Sequence, residues 1–373
     1  MLNFLLPRLN INLYEQINEK ALQSLDKYLQ IIGTRNIYID NIDEQINLFK
    51  GNWEILLQIY YPYEFISHTM EITLRHAMHI EIQHFIQNSM LIKCNRILNS
   101  TTTRSLNFCG RDIDQNYLQH GNVHTNIEYD ARNIHQILSE NLSTMDHITI
   151  GTHLHDNFNE DEYARISYIC VLYALCFQKH NGNAIVKVLN IDTSLSIGII
   201  GLLSSMYQEV HIIKPLMSYT YSSEVFIVCK KFLPKNSKPF FRSFMSIIQY
   251  LPKIDYSHEV FKIDIINLLF LNRINEIAVI FYQRRLEFLH SVLNSTISST
   301  LKKSFLQPQS KVRLPVNEKE AIQAEKSRIY TIIRSNVQKC LHWSSQHDII
   351  KPGQLSSNSD MNTMVDSIVA TII

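Results

Sequence analysis

The segment 182–232 constrains the fold more than any other part of this sequence. A buried apolar run, Ala184 to Leu189, is followed by a helical pattern from Ser194 to Tyr207 and by a second apolar run from Val210 to Ile213. A third strand-like run, Val225 to Cys229, comes after a link of about ten residues, which is too short to hold a crossover helix. We therefore predict that the last two strands pair antiparallel at the edge of a mostly parallel sheet.

Short apolar runs also alternate with helical patterns upstream of this segment. Strands are predicted at Leu106–Cys109, Thr125–Tyr129 and His147–Thr152, and a helix at Asp161–Lys179 is followed by a turn at Asn181–Asn183. Strands that alternate with helices form parallel βαβ units. The sequence therefore predicts an α/β protein, and the combination of a parallel sheet with one late antiparallel strand resembles the Rossmann-like sheet of class I methyltransferases.

The chain is predicted to have four parts. Residues 1–65 form an N-terminal helical extension, and residues 66–235 contain the Rossmann-like domain. Residues 236–350 return to helical patterns, with a clear amphipathic helix from Asn317 to Gln346. The Ser- and Asn-rich residues 351–373 are predicted to be a flexible tail.

Composition limits the classes of protein to which the chain can belong. Hydrophobic residues make up 45% of the 373 residues, and the formal charge is +1, so bulk charge would not drive binding to nucleic acid, although a local basic cleft remains possible. No apolar stretch reaches about 18 residues, so no membrane span or membrane partner is expected. The six cysteines form no Cys-x-x-Cys pair. This favours buried thiols in a reducing, cytoplasmic setting.

A set of short motifs runs in order through segment 182–232. A glycine precedes a strand with a central lysine, a helix ends in a pair of large side chains, a strand ends in Lys-Pro, and a Ser-rich loop leads to Ser-Glu and a last strand. The residues are Gly182, Lys187, Met206-Tyr207, Lys214-Pro215, Ser218, Ser223-Glu224 and Phe232. This order resembles the FtsJ-like RNA ribose 2′-O-methyltransferases. The resemblance is greatest to the Adrift type found in mRNA cap-modifying enzymes and in large DNA viruses.

The resemblance implies a catalytic Lys-Asp-Lys-Glu set that activates a ribose 2′-hydroxyl toward the methyl group of S-adenosyl-L-methionine. A lysine next to the poorly nucleophilic hydroxyl lowers its pKa, and the carboxylates hold the lysines in place. Lys93 matches the first lysine, Lys187 the central lysine and Glu224 the glutamate. The aspartate position, at the end of the third strand, is occupied by Gly151.

The resemblance also implies a glycine-rich cofactor loop after the first strand, where the main chain approaches the cofactor closely. This chain has Cys109-Gly110-Arg111-Asp112 there, so Gly110 is the one glycine that matches. After the second strand, Glu128 or Asp130 is placed where acids of Rossmann-like sheets often bind a cofactor ribose. The cofactor is therefore expected to be S-adenosyl-L-methionine, held by a degenerate loop.

Each candidate residue also has a structural interpretation. Lys187 could be a scaffold residue retained in an inactive site, and Glu224 could form an ion pair with Lys187 or Lys93 that stabilises the sheet edge. Lys93 could be an exposed helix residue. The histidines lack the spacing of a zinc site, so no metal is expected.

Three functions remain open from the sequence. The first is an RNA (mRNA cap) 2′-O-methyltransferase homologue with impaired or lost catalysis, a pseudoenzyme that binds RNA or a protein partner. The second is an active S-adenosyl-L-methionine-dependent RNA methyltransferase with a diverged cofactor loop. The third is a structural subunit of a viral transcription or capping machine, which would place the protein in the host cytoplasm or the virion. Whether the chain is an enzyme is thus not decided by the sequence.

Overall fold

The structure of the chain is a computed structural model. The described residues are 1–8, 59–63, 65–66, 74–87, 105–109, 122–123, 145–151, 171, 174–191, 193–220, 222–235, 268–297, 316–347 and 358–372. The chain forms two compact units. Unit 1 is Met1–Thr34, His79–Leu216 and Ser223–Ile280, and unit 2 is Arg35–Met78, Met217–Ser222 and Phe281–Ile373.

The centre of unit 1 is a sheet in which seven strands are described. Its strands are β1 (Leu2–Leu5), β2 (Ser105–Cys109), β3 (Asn122–Val123), β4 (Met145–Gly151), β5 (Gln178–Leu189), β6 (Tyr207–Lys214) and β7 (Glu224–Phe232). Their order across the sheet is β1-β6-β7-β5-β4-β2-β3. β2, β3, β4 and β5 are parallel, whereas β7 is antiparallel to both β5 and β6. The predicted α/β fold, with a Rossmann-like sheet and a late antiparallel strand, is confirmed.

The predicted edge position of the antiparallel pair is wrong. β7 lies between β5 and β6, and β6 is covered on its other side by β1. An interior position agrees with the composition of β7, because Val225, Phe226, Ile227, Val228 and Cys229 are all buried. A strand that is covered on both faces carries a nearly continuous apolar run. The short link from β6 fixes the direction of β7 but not the side on which it inserts.

The first strand was not predicted, because residues 1–65 were expected to be helical. Leu2–Leu5 pair antiparallel with β6, with Leu2 opposite Lys214 and Leu5 opposite His211. The Arg273 guanidinium carbon lies 5.8 Å from the centre of the Phe4 ring, within the range of a cation–π contact. Four residues are too few for periodicity to distinguish a strand from a helix, so pairing with β6 determines the conformation.

The start of β5 departs from the predicted helix and turn. Val171 and Ala174–Phe177 are helical, but Gln178 and Lys179 already belong to β5 rather than to the helix predicted to end at Lys179. Between the pairs Met145–Gln178 and His147–Asn183 the β5 side has three extra residues, and Asn181 there has a φ of 64°. The predicted turn is therefore an irregularity within the strand, where asparagine tolerates the left-handed conformation.

The bounds of five helices are described. They are α1 (Leu74–Gln87), α2 (Ser194–Met206), α3 (Leu268–Ile297), α4 (Val316–Gln346) and α5 (Asn358–Ile372). The start of α2 is fixed by Thr193, whose hydroxyl oxygen accepts a hydrogen bond from the Ser196 amide at 3.1 Å. Such an N-cap supplies a partner for an amide that the helix itself leaves free. α3 and α4 lie in the region predicted to be helical, and α5 lies within the predicted flexible tail. The predicted domain boundaries remain predictions.

In unit 2, α4 packs against α5 and against the segment around Ile59. The buried Asn336 amide donates to the Ile59 carbonyl at 2.9 Å, and the Cys340 thiol lies 3.6 Å from the Pro62 carbonyl. The rings of Tyr61 and Tyr219 lie 4.7 Å apart. Burial raises the pKa of Cys340 to about 12, so this thiol is uncharged at neutral pH.

Candidate functional site

The strand order defines where a ligand of unit 1 should bind. In the sheet, β3 lies on one side of β2 and β4 lies on the other. The direction in which successive strands are added therefore reverses between β2 and β4. In open α/β sheets, ligands bind at such a reversal, in the crevice outside the carboxyl ends of the strands. Cys109 and Gly151 form the last registered pair of β2 and β4, at the carboxyl end of both strands.

An ion pair lies next to this reversal, between β5 and β7. The Lys187 ammonium nitrogen is 2.7 Å from Oε2 of Glu224, and the two side chains are 16% and 10% exposed. Lys187 is registered opposite Phe226, and Glu224 opposite Leu189. Opposed residues of antiparallel strands share a face, so Lys187 and Glu224 are diagonal neighbours on one side of the sheet. The short distance and the low exposure make Lys187 and Glu224 a largely buried ion pair.

Gly151 lies beside the strand that carries Lys187. β4 and β5 are parallel, and the last registered pair is Ile150–Val186. If this register is extended by one residue along each parallel strand, Gly151 comes level with Lys187. The position that the resemblance assigns to a carboxylate is thus on the neighbouring strand at the level of the ion pair, and it is occupied by a residue without a side chain.

Main-chain hydrogen bonds fix the start of β7. The Lys214 ammonium donates to the main-chain oxygen of Glu224 at 2.7 Å, and the Asn190 amide donates to the Ser223 oxygen at 3.2 Å. Asn190 has a φ of 51°, a left-handed conformation that asparagine tolerates better than most residues. Glu224 is therefore held by its main chain from β6 and by its carboxylate from β5, while the adjacent Ser223 is held from the end of β5.

Glu81 of α1 binds the turn that follows β6. Both of its carboxylate oxygens accept the Leu216 amide hydrogen at 3.0 Å, and the residue is 5% exposed. The turn lies two residues beyond Lys214, across Pro215. A buried carboxylate needs partners of this kind, because leaving it without them would cost several kcal/mol. Sequence analysis did not select Glu81. Its only sequence signal is an acid within the apolar face of a helix.

The remaining predicted site residues cannot be placed. Lys93, Gly110, Glu128 and Asp130 lie outside the described residues. Of the predicted catalytic set, Lys187 and Glu224 are in contact, as the structural interpretation of Glu224 also required, and their role in catalysis remains a prediction.

A second charged cluster lies on the same sheet face, beneath α1, and was not predicted. The Lys230 ammonium is 4.3 Å from the centre of the Phe85 ring, and the Phe85 and His211 rings are 5.0 Å apart. His211 Nδ1 is 3.0 Å from the Asn3 side-chain oxygen, and its Nε2 is 3.6 Å from a Glu209 oxygen. Burial, followed by the positive charge of Lys230, lowers the pKa of His211. The neutral ring therefore joins β1 to β6.

Two kinds of feature are not found in the described part of the chain. No group of three or more His, Cys, Asp or Glu side chains there could hold a metal ion. No helix described in this structure is both long enough and apolar enough to cross a membrane.

One family model matches a part of the chain that contains the ion pair. Residues 109–232 match the family model of FtsJ-like methyltransferases. The FtsJ-like segment is about a third of the chain, begins at Cys109 of β2 and ends at Phe232 of β7. It includes Gly151, Lys187 and Glu224, so the ion pair and the glycine beside it belong to the methyltransferase-like part. A search of curated proteins gave no significant match.

Proposed function

We propose that the FtsJ-like segment is an RNA ribose 2′-O-methyltransferase homologue of the mRNA cap type, in which methyl transfer is impaired or lost. The chain would then act by binding RNA or a protein partner of a transcription or capping machine. The family match supports methyltransferase ancestry, and the loss of activity is proposed from the site itself.

The observation that carries this proposal is the glycine at the carboxyl end of β4. Gly151 lies one residue beyond the registered pair Ile150–Val186, and the parallel register extended by that residue leads to Lys187 of β5. The resemblance to FtsJ-like methyltransferases implies that the lysine which activates the ribose hydroxyl is held in place by two carboxylates, one after the third strand and one at the last strand. Glu224 supports Lys187 from β7 at 2.7 Å, whereas Gly151 offers no carboxylate from β4. Lys187 would therefore remain bound to Glu224 without the second acid that directs it toward a substrate hydroxyl.

The strand order is compatible with binding of S-adenosyl-L-methionine, because the carboxyl ends of β2, β3 and β4 are neighbours at the reversal, where ligands of such sheets bind. When bound, this cofactor supplies an electrophilic methyl group. Lys187 would then hold a ribose oxygen in place, and Glu224 would keep the Lys187 ammonium in one position through their ion pair. Gly110, Glu128 and Asp130 remain the proposed cofactor-binding residues.

An active methyltransferase is the second candidate. The observation in its favour is the intact Lys187–Glu224 pair, since half-buried charges without a function are costly to keep. An acid from elsewhere in the chain would then take the place of the missing aspartate.

Calorimetric titration of the full chain with S-adenosyl-L-methionine distinguishes these candidates, with S-adenosylhomocysteine as competitor. Binding that the competitor displaces, together with methyl transfer to capped RNA that Lys187→Ala abolishes, would establish the active enzyme and contradict the proposal. RNA binding without methyl transfer would support it. Absence of both cofactor and RNA binding would favour a structural subunit.

Two substitutions at position 151 test whether the missing carboxylate explains the loss of activity. Gly151→Asp places a carboxylate beside Lys187, and Gly151→Asn places a neutral side chain of nearly the same shape there. If the absent acid limits the reaction, the Asp variant should transfer methyl groups to capped RNA about tenfold or more faster than the Asn variant. Equal rates in the two variants would show that a missing charge at this position does not explain the loss.

A further inference from the structure

We propose that Lys214 is a positioning residue for the Lys187–Glu224 pair. This inference rests on the proposed function in one respect: it assumes that the Lys187–Glu224 pair is the part of the site that would act on a substrate. Lys214 ends β6, and its ammonium donates to the Glu224 main-chain oxygen at 2.7 Å. It thus holds the residue whose carboxylate binds Lys187.

The position of Glu224 makes this hydrogen bond consequential. Glu224 is the first residue of β7, at the point where the strand leaves the preceding loop. The end of a strand lacks the continuous ladder that fixes a residue in its middle, so a charge-assisted hydrogen bond there has a large effect on local order. The Glu224 carboxylate can direct Lys187 only as far as its own main chain is fixed.

The main chain of Lys214 is fixed by pairing with β1 and by the turn that follows it. Its main chain is registered opposite Leu2 of β1, and Pro215 follows it directly. One residue beyond, the Leu216 amide is bound by both carboxylate oxygens of the buried Glu81. A lysine whose main chain is fixed in this way loses less conformational freedom when its side chain reaches the Glu224 carbonyl.

The test measures the accessibility of the Lys187 amine and needs neither cofactor nor turnover. The full chain is dimethylated with formaldehyde and cyanoborohydride, and the rate at Lys187 is measured by peptide mass spectrometry relative to the exposed Lys339. Glu224→Gln calibrates the assay because it removes the charge that holds Lys187. Its Lys187 rate should rise about tenfold, the factor expected for loss of one charge-assisted hydrogen bond.

Lys214→Met should raise the Lys187 rate to a similar extent, and Lys214→Arg, which can still donate to the Glu224 oxygen, should keep the wild-type rate. Lys179→Met removes an exposed lysine and should change nothing at Lys187. Ile212→Val in the core of β6 should lower stability without changing the Lys187 rate, which separates positioning from general loosening.

A wild-type Lys187 rate in Lys214→Met, alongside a raised rate in Glu224→Gln, would overturn the proposal. Raised rates in Lys214→Arg or Ile212→Val equal to that in Lys214→Met would overturn it as well. If Lys214→Met does not fold, Lys214→Gln serves in its place, because its shorter side chain keeps a polar group but does not reach the Glu224 carbonyl. Because cofactor and RNA binding are measured separately, failure of the proposed function would leave these rates unaffected.

Discussion

The side-chain oxygen of Gln178 accepts a hydrogen bond from the Tyr207 hydroxyl at 3.1 Å, and this bond joins β5 to β6 across the buried side of the sheet. The Gln178 amide nitrogen also donates to the main-chain oxygens of Met145 at 3.0 Å and Asp146 at 3.3 Å. Gln178 is fully buried, and burial raises the pKa of Tyr207, so its hydroxyl remains a donor at neutral pH. One side chain thus connects three strands.

Replacing Gln178 by leucine should destabilise the protein more than removing the Tyr207 hydroxyl. Gln178→Leu leaves that hydroxyl and two carbonyl oxygens without this partner, at a cost of about 3 kcal/mol in the free energy of unfolding. Tyr207→Phe removes one hydrogen bond and should cost about 1 kcal/mol. Denaturant unfolding measures both values. Equal costs would mean that the hydrogen bonds from Gln178 to β4 contribute little.

Gly182 should not tolerate a side chain. A Cβ at this position would collide with Nε2 of Gln178 and lie 2.7 Å from the Asp146 oxygen. Gly182→Ala should therefore lower the free energy of unfolding by about 2 kcal/mol, a typical cost of overpacking. The neighbouring Asn181→Gly, at an exposed left-handed position, should change it by less than about 0.5 kcal/mol. A fully stable Gly182→Ala variant would show that Gln178 can move aside.

The Lys187–Glu224 pair should show coupling in a double-mutant cycle. Lys187→Met and Glu224→Gln each take away the charged partner of a largely buried group and should cost about 2 kcal/mol. The double variant should cost less than their sum by about 1 kcal/mol or more, because neither charge then remains unpaired. Unfolding in urea at neutral pH gives all four values. Additive costs would contradict a direct interaction between the two side chains.

Stability should fall as the pH decreases from about 6.5 to about 4. Burial lowers the pKa of His147 from 6.5 to about 4, so in this range the unfolded chain binds a proton that the folded protein does not. Proton linkage to His147 gives a loss of about 3 kcal/mol in the free energy of unfolding. This value is an upper bound because His147 keeps some solvent exposure. His147→Gln should flatten the profile measured by urea unfolding across this range. A variant with an unchanged profile would assign the acid sensitivity to other groups.

Sequence alone predicted the elements that apolar runs and a helical pattern define. The parallel β4–β5 pair, the helix α2 and the antiparallel β6–β7 pair all follow from local pattern and the length of a link. Contacts between distant segments have no such local signal. The interior position of β7 therefore could not be predicted from periodicity.

In the candidate site, too, some features could be predicted from the sequence and others could not. Lys187 and Glu224 are predicted from the ordered motifs that resemble the FtsJ-like methyltransferases, and the ion pair between them is one of the structural interpretations of Glu224. The sequence marks Lys214 only as part of a Lys-Pro motif. Its hydrogen bond to a main-chain oxygen, like the hydrogen bond from Leu216 to Glu81, depends on how strands and helix meet in space.

The pairing of β1 with β6 imposes an order on events during synthesis. The side chains of Asn3 and His211 are in contact although the two residues lie 208 positions apart in the sequence. At translation rates of about 5–20 residues per second, β1 leaves the ribosome at least about ten seconds before β6 has been made. A strand without its neighbour exposes unpaired main-chain groups for that time. β1 has only four residues, one of them an asparagine, which limits its pairing with other segments during that interval. β1 is thus synthesised before β6 but can pair with it only after β6 has been made.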